Sequence, residues 1–119
     1  MSMFRVAVVE DDASFRESLE GLLQSVGYEV LPYLCAEDLL ASGRLHDVDC
    51  LITDYGLPGM NGIDLVRAAY AVRAELPVIM ISARSEAQIL SDALAAGARY
   101  ALSKPVDISE LLKALTAVL

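Results

Sequence analysis

The sequence predicts an α/β fold in which a five-stranded parallel sheet carries helices on both faces, a doubly wound architecture. Short apolar segments alternate with segments of helical periodicity five times along the chain, and such alternation is typical of parallel sheets with crossover helices. Two segments, residues 6–9 and 78–81, are apolar at every position, as expected of strands covered on both sides. We therefore expect one domain spanning residues 1–119.

Five short segments are predicted to be strands because they are rich in apolar and β-branched residues and are bounded by turn-forming residues. They cover residues 4–9, 28–33, 49–53, 77–82 and 100–103. The second segment contains Pro32, which has no backbone N–H to donate. This predicts that the second strand lies at an edge of the sheet.

Five intervening segments have apolar residues at helical spacing and are predicted to be helices. They cover residues 14–26, 36–42, 63–74, 85–96 and 109–119. At the start of the first helix, Ser14 and Glu17 have the spacing of a capping box. Gly27, Gly43 and Gly97 follow helical segments and are expected to end them.

The composition argues against several classes of function. Nine Lys and Arg residues against seventeen acids give a net charge of −8, so we expect this chain alone to bind neither nucleic acid nor an acidic membrane surface. The first five residues lack a signal-peptide pattern, which predicts a cytoplasmic protein. Cys35 and Cys50 are expected to be reduced thiols, because a zinc site with His46 would lack a paired CxxC motif.

Polar side chains follow four of the five predicted strands, and together they predict a functional site. They are Glu10, Asp11 and Asp12 after the first strand, Asp54 after the third, Ser82 at the end of the fourth and Lys104 after the fifth. Any one of them could be a helix cap, a turn residue or a solvated charge. However, the carboxyl ends of parallel strands meet at one rim of the sheet, where open α/β folds bind their ligands.

This combination of side chains suits phosphoryl transfer. Clustered carboxylates repel one another, and a hard cation such as Mg²⁺ relieves that repulsion while leaving room for phosphate oxygens. An Asp carboxylate can attack phosphorus, and a nearby Lys adds positive charge where the phosphoryl group passes. Pro105 follows Lys104, and a cis peptide bond between them is a hypothesis for how the ammonium reaches the crevice.

Six blocks of sequence occur in order along the chain: Val8–Asp12, Leu51–Asp54, Leu57–Gly62, Ile81–Ala83, Gly97–Ala98 and Lys104–Pro105. Together these blocks resemble the receiver domains of bacterial two-component response regulators, and the first helix is most similar to receivers with FixJ/LuxR-type outputs. The resemblance covers essentially the whole chain. It implies a flavodoxin-like fold with strand order 2-1-3-4-5.

The resemblance also implies roles for the acidic residues. Asp54 would be the phosphoacceptor and a ligand of Mg²⁺. Asp11 would bind the ion directly, Glu10 would bind it through water, and Gly56 would offer its backbone carbonyl. Asp12 matches no ligand position and is expected to cap the following helix.

Two further residues correspond to the family's phosphoryl contacts. Lys104 would contact the phosphoryl group, and the hydroxyl of Ser82 would close on it after phosphorylation. The family usually has an aromatic residue three positions before the Lys, where this sequence has Ala101. Tyr100 precedes it and should point to the opposite face of the strand. The signal is therefore expected to travel through the loop and helix that follow Ser82.

By the same resemblance, the partner is a histidine kinase or a histidine phosphotransfer protein that supplies phosphate from phosphohistidine. The domain would be a switch that promotes its own phosphorylation and dephosphorylation, not an enzyme. We also expect weak, phosphorylation-favoured self-association through the fourth helix, fifth strand and fifth helix. An output domain that binds DNA could follow Leu119.

Three other functions share part of this pattern. A haloacid-dehalogenase-like phosphatase also uses an Asp nucleophile but needs a second Asp two positions later, where this chain has Gly56. A flavin-binding flavodoxin-like module needs a Ser/Thr/Gly-rich phosphate loop after the first strand, where this chain has three acids. A receiver-like interaction module that works without phosphorylation is the third alternative.

Overall fold

The computed structural model describes residues 3–119 and contains all ten predicted elements. The strands are β1 (Arg5–Val9), β2 (Glu29–Tyr33), β3 (Cys50–Asp54), β4 (Val78–Ser82) and β5 (Tyr100–Ser103). The helices are α1 (Ala13–Ser25), α2 (Ala36–Ser42), α3 (Gly62–Val72), α4 (Ala87–Ala96) and α5 (Ile108–Val118), with a 3-10 turn at Arg44–His46.

The strands form one parallel sheet in the order β2-β1-β3-β4-β5, which confirms the expected topology. β2 lies at an edge, and Pro32 is in register with Val8 of β1. The prediction drawn from Pro32 is therefore correct. From β1 the chain crosses to β2 on one side, and it then returns to add β3, β4 and β5 on the other side of β1. The direction of the strand order therefore reverses between β1 and β3. That reversal opens a crevice at the carboxyl ends of these two strands.

Alternate residues of the strands supply two separate cores, one on each face of the sheet. One core joins the sheet to α1 and α5 through Val6, Val8, Leu19, Leu23, Ile52, Ile79, Ile81, Leu111 and Leu115. The other joins it to α2, α3 and α4 through Val9, Leu39, Leu51, Leu65, Val66, Met80 and Ala93. The central strands β3 and β4 are buried at every position, as their continuous apolar sequences predict.

The N-terminal cap of α1 differs from expectation. The predicted capping box of Ser14 and Glu17 is wrong, because α1 begins at Ala13 and Asp12 is its N-cap, accepting a hydrogen bond from the Phe15 N–H at 3.0 Å. The backbone of Asp12 is extended, and this conformation lets its short carboxylate reach the first turn of α1. The expectation that Asp12 caps this helix is confirmed. Ser14 lies inside the first turn.

Arg73 ends α3 two residues earlier than predicted. Its backbone is extended, and its guanidinium donates to the carbonyl oxygens of Leu45 at 2.9 Å and Val48 at 2.5 Å. These tertiary hydrogen bonds replace the helical continuation that periodicity alone favoured. Within residues 3–119, no helix has the length and apolar character needed to cross a membrane.

Candidate functional site

The carboxyl ends of the central strands bring the predicted acids together. Glu10 follows β1 directly, Asp54 is the last residue of β3, and Asp11 begins the turn into α1. One carboxylate oxygen from each of these three residues lies within 4.8 Å of the others. The register explains this convergence, since Val9 of β1 is paired with Thr53 of β3. The sequence-based prediction that these residues meet is confirmed.

Lys104 enters the same cluster from the end of β5. Its Nζ donates to Glu10 Oε1 at 2.9 Å and lies 3.2 Å from Asp54 Oδ1. The peptide bond between Lys104 and Pro105 is cis, as hypothesised. The ammonium also lies 4.3 Å from the centre of the Phe15 ring, a contact that favours the charged form. Lys104 is therefore not a solvated surface charge.

The charges of the site do not balance. Three carboxylates face one ammonium, a formal excess of two negative charges. Burial raises the pKa of Glu10, and the hydrogen bonds from Lys104 and from the Asp12 N–H only partly oppose that rise. Burial disfavours the charged form of Lys104, but its bond to Glu10 and the charge of Asp54 outweigh burial and raise its pKa. The site can therefore accept a further cation.

Asp54 is largely buried, at 9% exposure, and its second carboxylate oxygen lies beside Gly56. A side-chain Cβ built on Gly56 would lie 3.7 Å from Asp54 Oδ2. Gly56 itself is exposed. The absence of a side chain at position 56 thus leaves an approach to the carboxylate from solvent, and it keeps the Gly56 backbone next to the acidic cluster.

Ser82 lies at the end of β4 and is fully buried. Its hydroxyl accepts a hydrogen bond from the Arg84 N–H at 2.9 Å, and its carbonyl accepts from the Lys104 N–H at 2.7 Å. Ser82 therefore contacts both the β4–α4 loop (residues 83–86) and the strand end that carries Lys104. Its hydroxyl oxygen thus acts as an acceptor toward the loop in this structure.

The aromatic position of β5 is as the sequence predicted. Ala101 packs into the core beneath α4, in register with Met80 of β4. Tyr100 points to the other face of the strand and is 37% exposed. Adjacent strand residues point to opposite faces, so Tyr100 does not fill the space that Ala101 leaves.

Three contacts of the site were missed by sequence reasoning. The helical spacing of α1 predicts only that Phe15 lies on its apolar face, whereas the structure places its ring beneath Lys104. The Arg16 guanidinium donates to the Glu10 carbonyl at 2.9 Å. At Gly62, a Cβ would lie 2.7 Å from the Tyr55 Cα and closer still to the Asp54 carbonyl oxygen. No periodicity or motif signals these contacts, except that Gly62 opens a helix, where a glycine is unusual.

Comparisons with known proteins agree with this geometry. A family model described as the response regulator receiver domain matches residues 6–116. Nodulation protein W of Bradyrhizobium diazoefficiens is 38% identical over 112 residues, covering 94% of this chain and 49% of that protein. Transcriptional regulatory protein FixJ of Azorhizobium caulinodans is 33% identical over 114 residues, covering 96% of this chain and 54% of that protein.

A solved structure, the BeF3-activated DrrB receiver domain, is similar with a TM-score of 0.90 at 26% identity, covering 98% of this chain and 97% of that one. The chain spans about half the length of the curated relatives it matches. The family model covers nearly the whole chain, and the strand order and the acidic rim of the structure are consistent with that match. The chain belongs to the receiver domain family of two-component response regulators.

Proposed function

We propose that Asp54 is the residue of this receiver domain that accepts the phosphoryl group. One observation carries the proposal: the Lys104 ammonium contacts Asp54 and Glu10 together, while Asp11 completes the same group of acids. The Asp54 carboxylate thus has a positive partner on one side and an open approach over Gly56 on the other. A nucleophile that meets phosphorus needs both of these features.

The donor set fits Mg²⁺. Ligand oxygens at about 2.0–2.1 Å from an octahedral ion lie roughly 3 to 4 Å from one another, and the three carboxylates already approach within 4.8 Å. In our proposal Asp11, Asp54 and the Gly56 carbonyl hold the ion directly, and Glu10 holds it through water because Lys104 occupies one of its oxygens. When bound, the ion offsets the excess negative charge and orients phosphoryl oxygens.

The proposed transfer is a single displacement at phosphorus. An Asp54 oxygen attacks the phosphorus of a phosphohistidine, so an O–P bond forms as the N–P bond breaks. The imidazole, protonated on its other nitrogen, leaves as a neutral ring with the bonding electron pair. Lys104 donates to the phosphoryl oxygens as their charge shifts. Because the chain modifies itself and later hydrolyses its own acyl phosphate, we class it as a switch and not an enzyme.

Ser82 and the β4–α4 loop are the proposed readout. In our proposal the Ser82 hydroxyl turns to donate to the phosphoryl group, and this turn breaks the hydrogen bond that its oxygen accepts from the Arg84 N–H. That turn would free the loop and the start of α4. Because Ala101 stands at the usual aromatic position of β5, this route runs through the loop and not through an aromatic side chain. Ala101 also keeps open a second candidate, a receiver-like module that binds its partner without phosphorylation.

The proposed partners follow from the same site. Phosphate would come from a histidine kinase or a histidine phosphotransfer protein, and because such kinases draw it from ATP we place the domain in the cytoplasm. We propose residues 1–119 as one receiver unit, with weak self-association through α4, β5 and α5. The net charge of −8 argues against binding of nucleic acid by this unit alone.

Incubation with acetyl phosphate and Mg²⁺ tests the assignment of Asp54. Intact-mass spectrometry should show the addition of one phosphoryl group to the wild-type chain, and Asp54→Asn should abolish it. The matched control is Asp92→Asn, at a half-buried position of α4 outside the acidic cluster, which should be modified like wild type. Phosphorylation of the Asp54→Asn variant to the wild-type extent would overturn the proposal. Partner binding that is unchanged in Asp54→Asn would favour the second candidate.

A further inference from the structure

Arg16, one turn into α1, contacts the acidic site without belonging to the family's acceptor, metal or phosphoryl residues. Its Nη1 donates to the Glu10 backbone carbonyl at 2.9 Å, and the side chain is half-buried. Glu10 lies just beyond the paired part of β1, whose last partner in β3 is Thr53. The Glu10 carbonyl therefore obtains from Arg16 a donor that the strand ladder no longer supplies.

Glu10 is consequently held at four atoms. Its N–H donates to the Tyr33 carbonyl at 3.0 Å, and its carbonyl accepts from Arg16. Its Oε2 accepts from the Asp12 N–H at 3.1 Å and its Oε1 accepts from Lys104. Among these contacts, Arg16 alone supplies a side chain from the body of a helix. It thereby links α1 to the β1–α1 loop (residues 10–12).

We propose that Arg16 is a positioning residue for the metal site: by holding the Glu10 carbonyl, it keeps the β1–α1 loop in the conformation that directs Glu10 and Asp11 toward Asp54. The inference rests on the proposed function, since it concerns the affinity of that site for Mg²⁺. A planar guanidinium on a long side chain can reach a carbonyl six residues back from a helical position. A Lys at position 16 would present fewer donors in a less directed geometry.

Arg16 could act on the metal site through its positive charge or through the geometry that it imposes on the loop. A positive charge beside a cation site repels the cation, so a purely electrostatic role predicts tighter Mg²⁺ binding when Arg16 is removed. A positioning role predicts weaker binding, because the loop carboxylates lose their fixed geometry. The two roles therefore predict opposite signs for the same substitution.

The test is calorimetric titration of Mg²⁺ into the unphosphorylated chain. Arg16→Ala should bind Mg²⁺ about three- to tenfold more weakly, the loss that one hydrogen bond corresponds to. Arg16→Lys should lie between Arg16→Ala and wild type. Arg67→Ala removes one positive charge from an exposed site on α3 and should stay within about twofold of wild type. Without metal, amide exchange at Asp11 and Asp12 should be faster in Arg16→Ala.

The possible results distinguish a failure of this inference from a failure of the proposed function. If the wild-type chain binds Mg²⁺ and a folded Arg16→Ala variant binds it equally well or more tightly, the inference is overturned and the proposed function is left intact. A wild-type chain that binds no Mg²⁺ would overturn the proposed function and this inference with it. If Arg16→Ala fails to fold, Arg16→Lys decides: it retains the charge, so weaker binding supports positioning and unchanged binding overturns it.

Discussion

At the scale of single residues, burial opposes ionisation at two acidic groups. Burial raises the pKa of Glu10 despite its bond to Lys104, because the side chain is only 2% exposed. Burial raises the pKa of the Cys50 thiol to about 12. Glu10 must still ionise if it is to serve a cation, so the site retains an unfavourable charge for the sake of function. Cys50 has no such role and remains a neutral core residue.

The substitution Glu10→Gln tests how much folding stability is lost when the buried Glu10 carboxyl ionises. A folded-state pKa above the unfolded value contributes stability below the unfolded pKa and loses it as pH rises through the folded pKa. Gln does not ionise, so the stability of the variant relative to wild type should increase between pH 4 and pH 7. Denaturant unfolding at both pH values measures this, with the exposed Glu17→Gln as control. A difference that is independent of pH would contradict the prediction.

Ionisation of the buried Cys50 thiol should lower the free energy of unfolding at alkaline pH. The unfolded thiol ionises near its ordinary pKa of 9.0 and the folded one near 12, so folding stability from this group is intact below pH 9. It should fall by about 1.4 kcal/mol per pH unit between those values. Cys50→Ala should remove that slope relative to wild type, whereas Cys35→Ala should not. The free energy of unfolding at pH 8, 9 and 10 provides the measurement.

At the scale of elements, the β3–α3 loop (residues 55–61) is fixed at both ends. The Gly62 N–H donates to the Tyr55 carbonyl at 2.9 Å, and the Met60 N–H donates to Glu37 Oε2 of α2 at 3.0 Å. Gly59 has φ +72°, and the Glu37 carboxylate occupies the space a side chain would need there. The loop that carries Gly56 past Asp54 therefore depends on two glycines and on a neighbouring helix.

Gly62→Ala should destabilise the domain. The added Cβ would overlap the Tyr55 Cα and the Asp54 carbonyl oxygen, so backbone must move at a cost of about 1–3 kcal/mol. Gly21→Ala in α1 is the matched control, because nothing lies within 4 Å of its Cβ. That control should gain about 0.5–1 kcal/mol from helix propensity. Thermal unfolding of both variants measures the contrast, and equal effects would contradict it.

At the scale of the whole molecule, exposed apolar side chains lie on the face formed by α4, β5 and α5. Leu94 is 49% exposed and Tyr100 is 37% exposed. Leu94 lies in the last turn of α4, the helix that follows the β4–α4 loop, and Tyr100 begins β5, which pairs with β4. A rearrangement of that loop that shifted α4 would therefore change this face, and the net charge of −8 should keep any association between copies weak.

Sedimentation should detect self-association that increases with beryllofluoride and Mg²⁺. Leu94→Asp places a charge on the proposed face and should abolish the increase. Val26→Asp, at a similarly exposed apolar residue after α1, should leave it unchanged. A tight dimer without beryllofluoride, or an increase that survives Leu94→Asp, would contradict the prediction.

Much of this arrangement is predictable from local sequence. The apolar segments identified β3 and β4 because a strand buried on both faces leaves no polar alternation. Pro32 placed β2 at the edge because it lacks a donor for a second neighbour. Asp54 and Lys104 were found because each directly follows a strand, and parallel strands end at one rim. These inferences need only residue type and order along the chain.

The remaining features depend on packing between distant segments. The choice of Asp12 over Ser14 as the cap of α1, the early end of α3 at Arg73, and the placement of Phe15 and Arg16 beside the site all arise from such contacts. The sequence by itself determined the fold class, the strand order through its family resemblance, and the chemistry available at the rim. Only the tertiary structure decided which side chains hold that rim in place, because those hydrogen bonds join residues whose proximity no local periodicity encodes.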